Sequence, residues 1–392
     1  MPLFDDLTRS DTRPKMQNEA SFDYLNISAR PGVCAERDLL EGWFEHLPTS
    51  AKADVRGRFR SSDEIQNQSA FFELFCHELL LRSGYEVETH PAVPNERTVP
   101  DFLAILGGSR QFYLEATLAA PAHEVAMADR RFAELHDTLN RMNSPDYFLT
   151  MECRGDPQGN MRGRNLRDRL EVWLSSLNFE EIAQQSRAGN YEAIPTLDWV
   201  DAGCTVTFRP SPKGPSFRGK PGVRPIGIVA PELRLLRTHE DIRSAIEGKS
   251  KKYGPLDIPL VVAVNVTSDF CDDEDIWNGL FGDYYDLDIP QPDGGWISEP
   301  RRVPNGAWRG RVGARGKLVS AILIVNQLLP STLRAHPVRL IHNPWADNPL
   351  TPSALKVPQC TIDIGSGQIN HQNGISAADI LGIQDPWPIQ DR

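Results

Sequence analysis

A nine-residue apolar segment, residues 258–266, constrains the fold of this chain more than any other part of the sequence. It reads Ile-Pro-Leu-Val-Val-Ala-Val-Asn-Val and carries no charged side chain. A continuous apolar strand of this kind is buried on both faces, which requires a sheet covered by helices on its two sides. Residues 239–253, just upstream, have the apolar spacing of a helix. The two segments therefore predict an α/β fold in which a helix leads into a central strand.

A second region, residues 62–117, predicts a helix followed by three strands. The helix covers residues 62–83 and ends at Gly84, a residue that commonly terminates helices. The sequence places the strands at residues 85–90, 101–106 and 111–117. Gly107 and Gly108 separate the last two strands and predict a hairpin turn.

Three carboxylates lie on these predicted elements: Glu73 on the helix, Asp101 at the start of the second strand and Glu115 within the third. Carboxylates in this arrangement suit a Mg²⁺ ion held against a phosphodiester. Each acid also has a simpler explanation, Glu73 as a solvated or helix-capping acid and Asp101 as a turn acid at a strand start. Glu115 fits a simple explanation less well, because an unpaired charge in its mostly apolar strand would cost several kcal/mol.

The order of helix, three strands, helix and strand resembles the core of the PD-(D/E)XK nuclease superfamily. Glu73 lies eleven residues before Gly84, a placement similar to that in the first helix of Holliday-junction resolvases and Mrr-like restriction enzymes. Pro100-Asp101 and Glu115 resemble the acidic positions of the second and third strands of that superfamily.

The resemblance implies an α/β fold with a restriction-endonuclease-like mixed sheet flanked by helices. It implies that Asp101 and Glu115 bind Mg²⁺ or Mn²⁺, that Glu73 completes or supports the metal site, and that a metal-activated water attacks phosphorus. DNA is the expected substrate, in a defence or DNA-processing role that rests on family analogy. Enzymes of the restriction type commonly pair two sites, so a homodimer is a further expectation.

One position departs from the superfamily pattern. Thr117 occupies the place of the lysine that helps to activate the water. Either the lysine has moved to another element, or catalysis is lost and the chain is a nucleic-acid- or partner-binding subunit. The helix at residues 239–253 is the candidate donor of a migrated lysine. Lys249 and Lys252 are three residues apart and share one face of it, whereas Lys251 is rotated away. Lysines at a helix C-terminus are also favoured by the helix dipole alone.

The charge distribution indicates a basic surface within an acidic chain. The formal net charge is -11, from 42 Lys and Arg against 53 Asp and Glu. Eleven acids lie between Lys252 and Arg301, where no basic residue occurs, and residues 300–346 carry eight basic residues and no acid. Residues 202–231 also lack acids and carry five candidate nucleic-acid contacts: Arg209, Lys213, Arg218, Lys220 and Arg224. Such segments either follow a phosphate backbone or are ordinary solvated loops.

Five segments follow from these patterns. They are an N-terminal arm and helix (1–60), a first part of the nuclease core (61–142), an inserted α+β subdomain with the basic loop (143–225), a second part of the core with additional strands (226–345) and a C-terminal extension (346–392). The first 30 or so residues are polar and are predicted to be a loosely held arm.

Other patterns bear on compartment and on competing chemistry. No run approaches the roughly 18 apolar residues of a membrane helix, and the six widely spaced cysteines indicate reduced thiols in a cytoplasmic protein. The acids at residues 269–275 suit either Ca²⁺ or, more simply, the N-terminus of a helix near residues 276–280. His342 is interpreted as a turn histidine rather than a catalytic base. No nucleotide, acyl-transfer or zinc motif supports a small-molecule enzyme.

Overall fold

The computed structural model describes residues 1–94, 97–220, 222–231, 237–268, 271–291 and 295–388. Asp269 and Asp293, two of the acids of the acidic segment, lie outside these residues. Within the described ranges, no helix is long and apolar enough to cross a membrane. All six cysteines are free thiols.

Ten α-helices occur in the described part of the chain. In chain order they are α1 (Ser21–Ile27), α2 (Pro31–His46), α3 (Thr49–Phe59), α4 (Glu64–Arg82), α5 (His123–Leu139), α6 (Gly163–Ser175), α7 (Phe179–Arg187), α8 (Thr238–Ser250), α9 (Asp273–Phe281) and α10 (Ala377–Ile380).

Sixteen β-strands accompany them in the same residues. They are β1 (Glu86–Thr89), β2 (Phe102–Leu106), β3 (Ser109–Ala119), β4 (Tyr147–Arg154), β5 (Leu197–Asp201), β6 (Cys204–Pro212), β7 (Ile226–Pro231), β8 (Leu260–Val266), β9 (Tyr284–Pro290), β10 (Trp296–Arg302), β11 (Arg309–Gly310), β12 (Gly313–Ala314), β13 (Val319–Asn326), β14 (Arg339–His342), β15 (Gln359–Ile362) and β16 (Ile369–Gln372).

The chain divides into two compact units, of which the first holds residues 1–13, 20–121 and 237–392. Its sheet has eight strands in the order β1-β2-β3-β8-β13-β14-β15-β16. Strands β1, β2 and β3 pair antiparallel, whereas β3, β8 and β13 run parallel. The predicted α/β class, with a large mixed sheet flanked by helices, is confirmed.

The elements predicted between residues 62 and 117 are confirmed as α4, β1, β2 and β3. Gly107 and Gly108 form the β2–β3 turn with φ angles of 57° and 76°, a left-handed conformation that glycine adopts without strain. The apolar segment at 258–266 is confirmed as β8, in which every residue is buried.

A separate apolar core covers each face of the large sheet. On one face, Phe71 and Phe75 of α4 belong to the same cluster as Phe112 and Leu114 of β3. On the other face, Ile242 and Ile246 of α8 cluster with Tyr113 of β3 and with Val262 of β8. Side chains alternate between the two faces of a strand, so consecutive residues of β3 enter different cores.

The second unit holds residues 14–19 and 122–236 and has its own apolar core. Its four-stranded sheet has the order β5-β6-β4-β7, with β4 antiparallel to β6 and parallel to β7. This unit contains the predicted α+β insertion at 143–225. It also includes α5, which the sequence assigned to the nuclease core.

Strands β5 and β6 form a hairpin joined at Ala202 and Gly203, whose φ angles are 50° and 84°. Ala202 is an uncommon residue for a left-handed turn, and the flanking apolar pattern continues through it.

The predicted loosely held N-terminal arm is also wrong. Leu3 is fully buried, and Phe4 packs against Phe22 and Phe59 with ring centroids 5.9 and 5.7 Å apart. The backbone N–H groups of Leu3 and Phe4 donate to Glu41 at 2.7 and 3.1 Å. The C-terminal extension likewise belongs to the fold, because β15 and β16 complete the large sheet.

Two of the weaker sequence patterns have local explanations. Asp272 is the N-cap of α9 and accepts a hydrogen bond of 3.0 Å from the Asp275 N–H, so the helix-N-terminus interpretation of these acids is confirmed. His342, interpreted above as a turn histidine, is instead the last residue of β14, where it is buried with Nε2 2.7 Å from Oε1 of Gln359.

Candidate functional site

Glu115 is the centre of the candidate site and is fully buried, with no exposed surface. It lies on β3 between Leu114 and Ala116, which point to the opposite core. The α8 face of the sheet therefore carries the Glu115 carboxylate. A carboxylate in such surroundings requires partners, since an isolated charge there is strongly unfavourable.

Asp101 is brought to Glu115 by the strand register. It directly precedes β2, and Phe102 pairs with Leu114 across the hairpin. The Asp101 N–H donates to Oε2 of Glu115 at 3.2 Å. In return, the Ala116 N–H donates to Oδ2 of Asp101 at 2.7 Å. The β2–β3 pairing thus holds the two carboxylates side by side.

The C-terminal end of α8 and the turn just after it supply the cations that balance Glu115. Lys249 Nζ lies 2.8 Å and Lys252 Nζ 2.6 Å from Glu115 Oε1. The Tyr253 hydroxyl donates to Oε2 at 2.8 Å. Lys251 points away, is 72% exposed and pairs with Glu247 at 2.9 Å. The predicted grouping, with Lys249 and Lys252 together and Lys251 apart, is confirmed, but the predicted helix to residue 253 is too long, because α8 ends at Ser250 and Lys252 lies in the turn that follows.

The two carboxylates have opposite pKa shifts. Burial, and then the charge of Glu115, raise the pKa of Asp101 to about 7. Burial alone would also raise the pKa of Glu115, but Lys249, Lys252 and Tyr253 outweigh it and hold that pKa below its ordinary value. Burial and the Glu115 charge raise the pKa of the Tyr253 hydroxyl. At neutral pH, Glu115 is the fixed anion, whereas Asp101 is close to half-protonated.

Glu73 lies close to this pair but has a partner of its own. Its two carboxylate oxygens accept hydrogen bonds of 2.7 and 2.6 Å from the guanidinium of Arg58. Glu73 and Asp101 line one small pocket, together with His90, and the Glu73 charge contributes to the raised pKa of Asp101. Glu73 is therefore a neighbour of the site whose charge is largely balanced by Arg58.

The donor atoms of Asp101 and Glu115 fit Mg²⁺ or Mn²⁺ in chemical type, since both ions prefer carboxylate oxygens. The half-ionised carboxyl beside a fixed anion also favours the approach of a cation. Glu115, however, already accepts from two ammonium groups, a hydroxyl and an N–H. Among the described residues, no three His, Cys, Asp or Glu side chains form a metal-ligand group. A divalent ion would have to share Glu115 with the lysines or replace one of them.

The five basic residues predicted to contact nucleic acid lie in the second unit. Arg209 donates to the carbonyl of Tyr191 at 2.7 Å, and Arg218 to Asp146 at 2.7 Å. Lys220 and Arg224 are exposed.

Lys213 differs from the expectation of a surface contact. It is buried, its Nζ donates to the carbonyl of Ser144 at 2.6 Å, and it lies 5.0 Å from the ring centroid of Phe148. Burial lowers the pKa of this ammonium. Lys213 therefore anchors the loop rather than presenting a charge to a phosphate.

Two residues of the site were missed from the sequence. Tyr253 lies four residues after Lys249, so the face argument that selected Lys249 and Lys252 could also have included it. Arg58 belongs to α3, a helix with little amphipathic pattern, and no sequence signal connects it to Glu73.

Searches of protein-family models, of curated proteins and of solved structures find no match to this chain.

Proposed function

We propose that this protein is a metal-dependent nuclease that hydrolyses phosphodiester bonds, with DNA as the substrate, and that it is a divergent member of the PD-(D/E)XK superfamily. One observation carries the proposal. Lys249 of α8 and Lys252, two residues after α8 ends, converge on the buried Glu115, directly beside Asp101. Thr117 lacks the expected ammonium group, and the C-terminal end of α8 with the residues just after it supplies ammonium groups at the carboxylate pair.

The arrangement of elements in the first unit supports this assignment. The chain order α4, β1, β2, β3, α8 and β8 agrees with the helix, three strands, helix and strand of the superfamily core. Residues 122–236, which make up most of the second unit, are inserted between β3 and α8. Strand β8 is parallel to β3, and α8, the last helix before β8, carries Lys249 and ends two residues before Lys252.

Each side chain has a distinct role in the proposed reaction. Asp101 and Glu115 would hold the Mg²⁺ or Mn²⁺ ion, and Glu73 would support them from the pocket side. A bound metal lowers the pKa of its water and offsets negative charge on the phosphate. Lys249 or Lys252 would orient the attacking water, which forms a new oxygen–phosphorus bond as the bond to the leaving oxygen breaks. Lys249 and Lys252 also keep Glu115 ionised.

A second candidate function is a nuclease-fold subunit without catalysis that binds nucleic acid or a protein partner. The saturation of Glu115 by four internal donors favours this alternative, as does Thr117. We further propose a cytoplasmic location, which the six free thiols support, and a role in defence or DNA processing. Pairing of two copies into a homodimer belongs to the same proposal and is tested by light scattering of the purified protein.

The test is cleavage of plasmid, linear and single-stranded DNA with Mg²⁺ or Mn²⁺, using wild type, Asp101→Ala, Lys249→Ala, Lys252→Ala and Lys251→Ala. Lys251→Ala is the matched control, because it removes an exposed lysine that lies between Lys249 and Lys252 and does not contact Glu115. Three results together would establish the nuclease. Asp101→Ala abolishes cleavage, Lys249→Ala or Lys252→Ala reduces it at least 100-fold, and Lys251→Ala cleaves like the wild type. DNA binding without cleavage by the wild type would establish the second candidate.

A further inference from the structure

A short basic hairpin projects from the first unit next to α8. We call residues 309–317, which contain β11 and β12, the basic hairpin. The segment carries Arg309, Arg311, Arg315 and Lys317, and no acid occurs anywhere in residues 300–346. Arg309, Arg311 and Lys317 are exposed, and no carboxylate among the described residues pairs with them. Val312, at the tip, is fully exposed.

The base of the basic hairpin is firmly anchored. Trp308 is fully buried and packs edge-on against Phe281 of α9, with ring centroids 5.7 Å apart. The backbone N–H of Trp308 donates to the Leu280 carbonyl at 2.9 Å, and the backbone N–H of Arg315 donates to the Trp308 carbonyl at 2.9 Å. The exposed side chains therefore stand on a fixed base, and their removal is not expected to unfold the protein.

The hairpin is tied to the helix of the candidate site through Arg315. The Arg315 guanidinium pairs with Glu247 of α8, and Glu247 also accepts from Lys251. Glu247 precedes Lys249 by two residues, a rise of about 3 Å along the helix axis. The basic hairpin thus lies against the helix whose lysines reach Glu115.

Arg302, just before the basic hairpin, adds a positive charge close to Arg309. Burial lowers the pKa of Arg302 most, Glu274 opposes this shift, and the charge of Arg309 lowers the pKa further. Guanidinium groups that lie near one another repel in the free protein, and an anion between them removes that repulsion. The planar guanidinium donors match phosphate oxygens in particular.

We propose that Arg309, Arg311 and Lys317 form a phosphate-binding surface for duplex DNA beside the carboxylate site. The choice of DNA rests on the proposed function. The surface contacts the backbone and reads no base sequence, and it holds the strand next to Asp101 and Glu115.

The experiment measures binding without metal, so that it does not depend on cleavage. A fluorescein-labelled 30-bp duplex is titrated with full-length protein in EDTA from 50 to 200 mM KCl, and binding is followed by fluorescence anisotropy. The variant Arg309→Ala/Arg311→Ala/Lys317→Ala is expected to bind about tenfold or more weakly. Its slope of log K against log salt should be smaller by about 2 to 3, because each lost phosphate contact removes about 0.9.

Arg311→Ala and Lys356→Ala form a matched pair of single changes, since both side chains are exposed and only Arg311 lies in the basic hairpin. Arg311→Ala should lower the salt slope by about 0.9, and Lys356→Ala should leave it unchanged. Equal affinity and slope for wild type and the triple variant, with both proteins folded by thermal denaturation, would overturn the proposal.

The binding and cleavage experiments together separate failure of the phosphate-binding surface from failure of the proposed nuclease function. If the triple variant binds DNA like the wild type and still cleaves it with metal, the proposed nuclease function stands and the basic hairpin is not a substrate contact. Loss of binding in the triple variant of a protein that never cleaves DNA supports the phosphate-binding surface and rejects catalysis.

Discussion

The Asp101 N–H donates to Glu115 Oε2 at 3.2 Å, so the backbone of one acid binds the side chain of the other. The Ala116 N–H completes the exchange by donating to Asp101 Oδ2 at 2.7 Å. The two carboxylates cannot move apart unless the register of β2 and β3 changes. The sheet register therefore keeps the two carboxylates close enough to repel each other. Lys249 and Lys252 balance the charge of Glu115 but do not contact Asp101.

Stability should fall with rising pH because of Asp101. Its pKa is about 7 in the folded protein and about 3.9 in the unfolded chain. Between these values the folded state binds a proton that the unfolded state has released, so stability decreases as pH rises through that interval. In EDTA, the free energy of unfolding should fall between pH 5 and pH 8 by about 1 to 3 kcal/mol more in wild type than in Asp101→Asn.

Urea unfolding at the two pH values checks this difference. Burial also raises the pKa of Glu36 to about 7, but Glu36 is present in both proteins, so its contribution cancels in the difference between their pH dependences. Glu115 has a lowered pKa and is ionised throughout this range, so it adds no slope. Identical pH dependence of the two proteins would show that Asp101 titrates normally.

Mg²⁺ or Mn²⁺ should stabilise the wild type at pH 8, where Asp101 is ionised. Binding to the folded state alone adds about 1.4 kcal/mol to the free energy of unfolding at a metal concentration ten times the dissociation constant. The rise in Tm should disappear in Asp101→Asn, which keeps the shape of the side chain but loses its charge. An equal rise in both proteins would place the metal elsewhere.

Lys249 and Lys252 should show strong coupling in stability. After Lys249→Met or Lys252→Met alone, one ammonium remains on Glu115 Oε1 and the expected loss is about 1 to 2 kcal/mol. The double variant leaves a buried carboxylate without a cation, which costs about 3 to 5 kcal/mol. A double-mutant cycle by urea denaturation should therefore give an interaction energy above about 0.5 kcal/mol. Lys251→Met, on the exposed side of α8, should change stability by less than that.

Tyr253→Phe should cost about 1 to 2 kcal/mol, because it removes a hydrogen bond to the buried Oε2 of Glu115. Tyr191→Phe is the matched control, since Tyr191 is 57% exposed and should change stability by less than about 0.5 kcal/mol. Chemical denaturation of the two variants at pH 7.5 provides the comparison. Equal effects would mean that Glu115 does not depend on the Tyr253 hydroxyl.

The sequence was sufficient where local pattern and spacing determine the outcome. The turn at Gly107 and Gly108, the buried β8 and the common face of Lys249 and Lys252 all follow from backbone preference or helix geometry. It was insufficient where a contact joins distant segments. Arg58 and Glu73 lie on different helices, and burial of Lys213 depends on the backbone of Ser144, so neither could be inferred from a pattern of residues.

The insertion of the second unit between β3 and α8 has a consequence for synthesis on the ribosome. Glu115 and Lys249 are separated by 134 positions, which at about 5 to 20 residues per second take roughly 7 to 27 s to translate. During this interval β3 has no β8 beside it, and the Glu115 carboxylate has no ammonium partner. The nascent chain thus presents an open strand edge that carries a hydrated acid. Closure of the central sheet must await α8 and β8, after the whole second unit has been made.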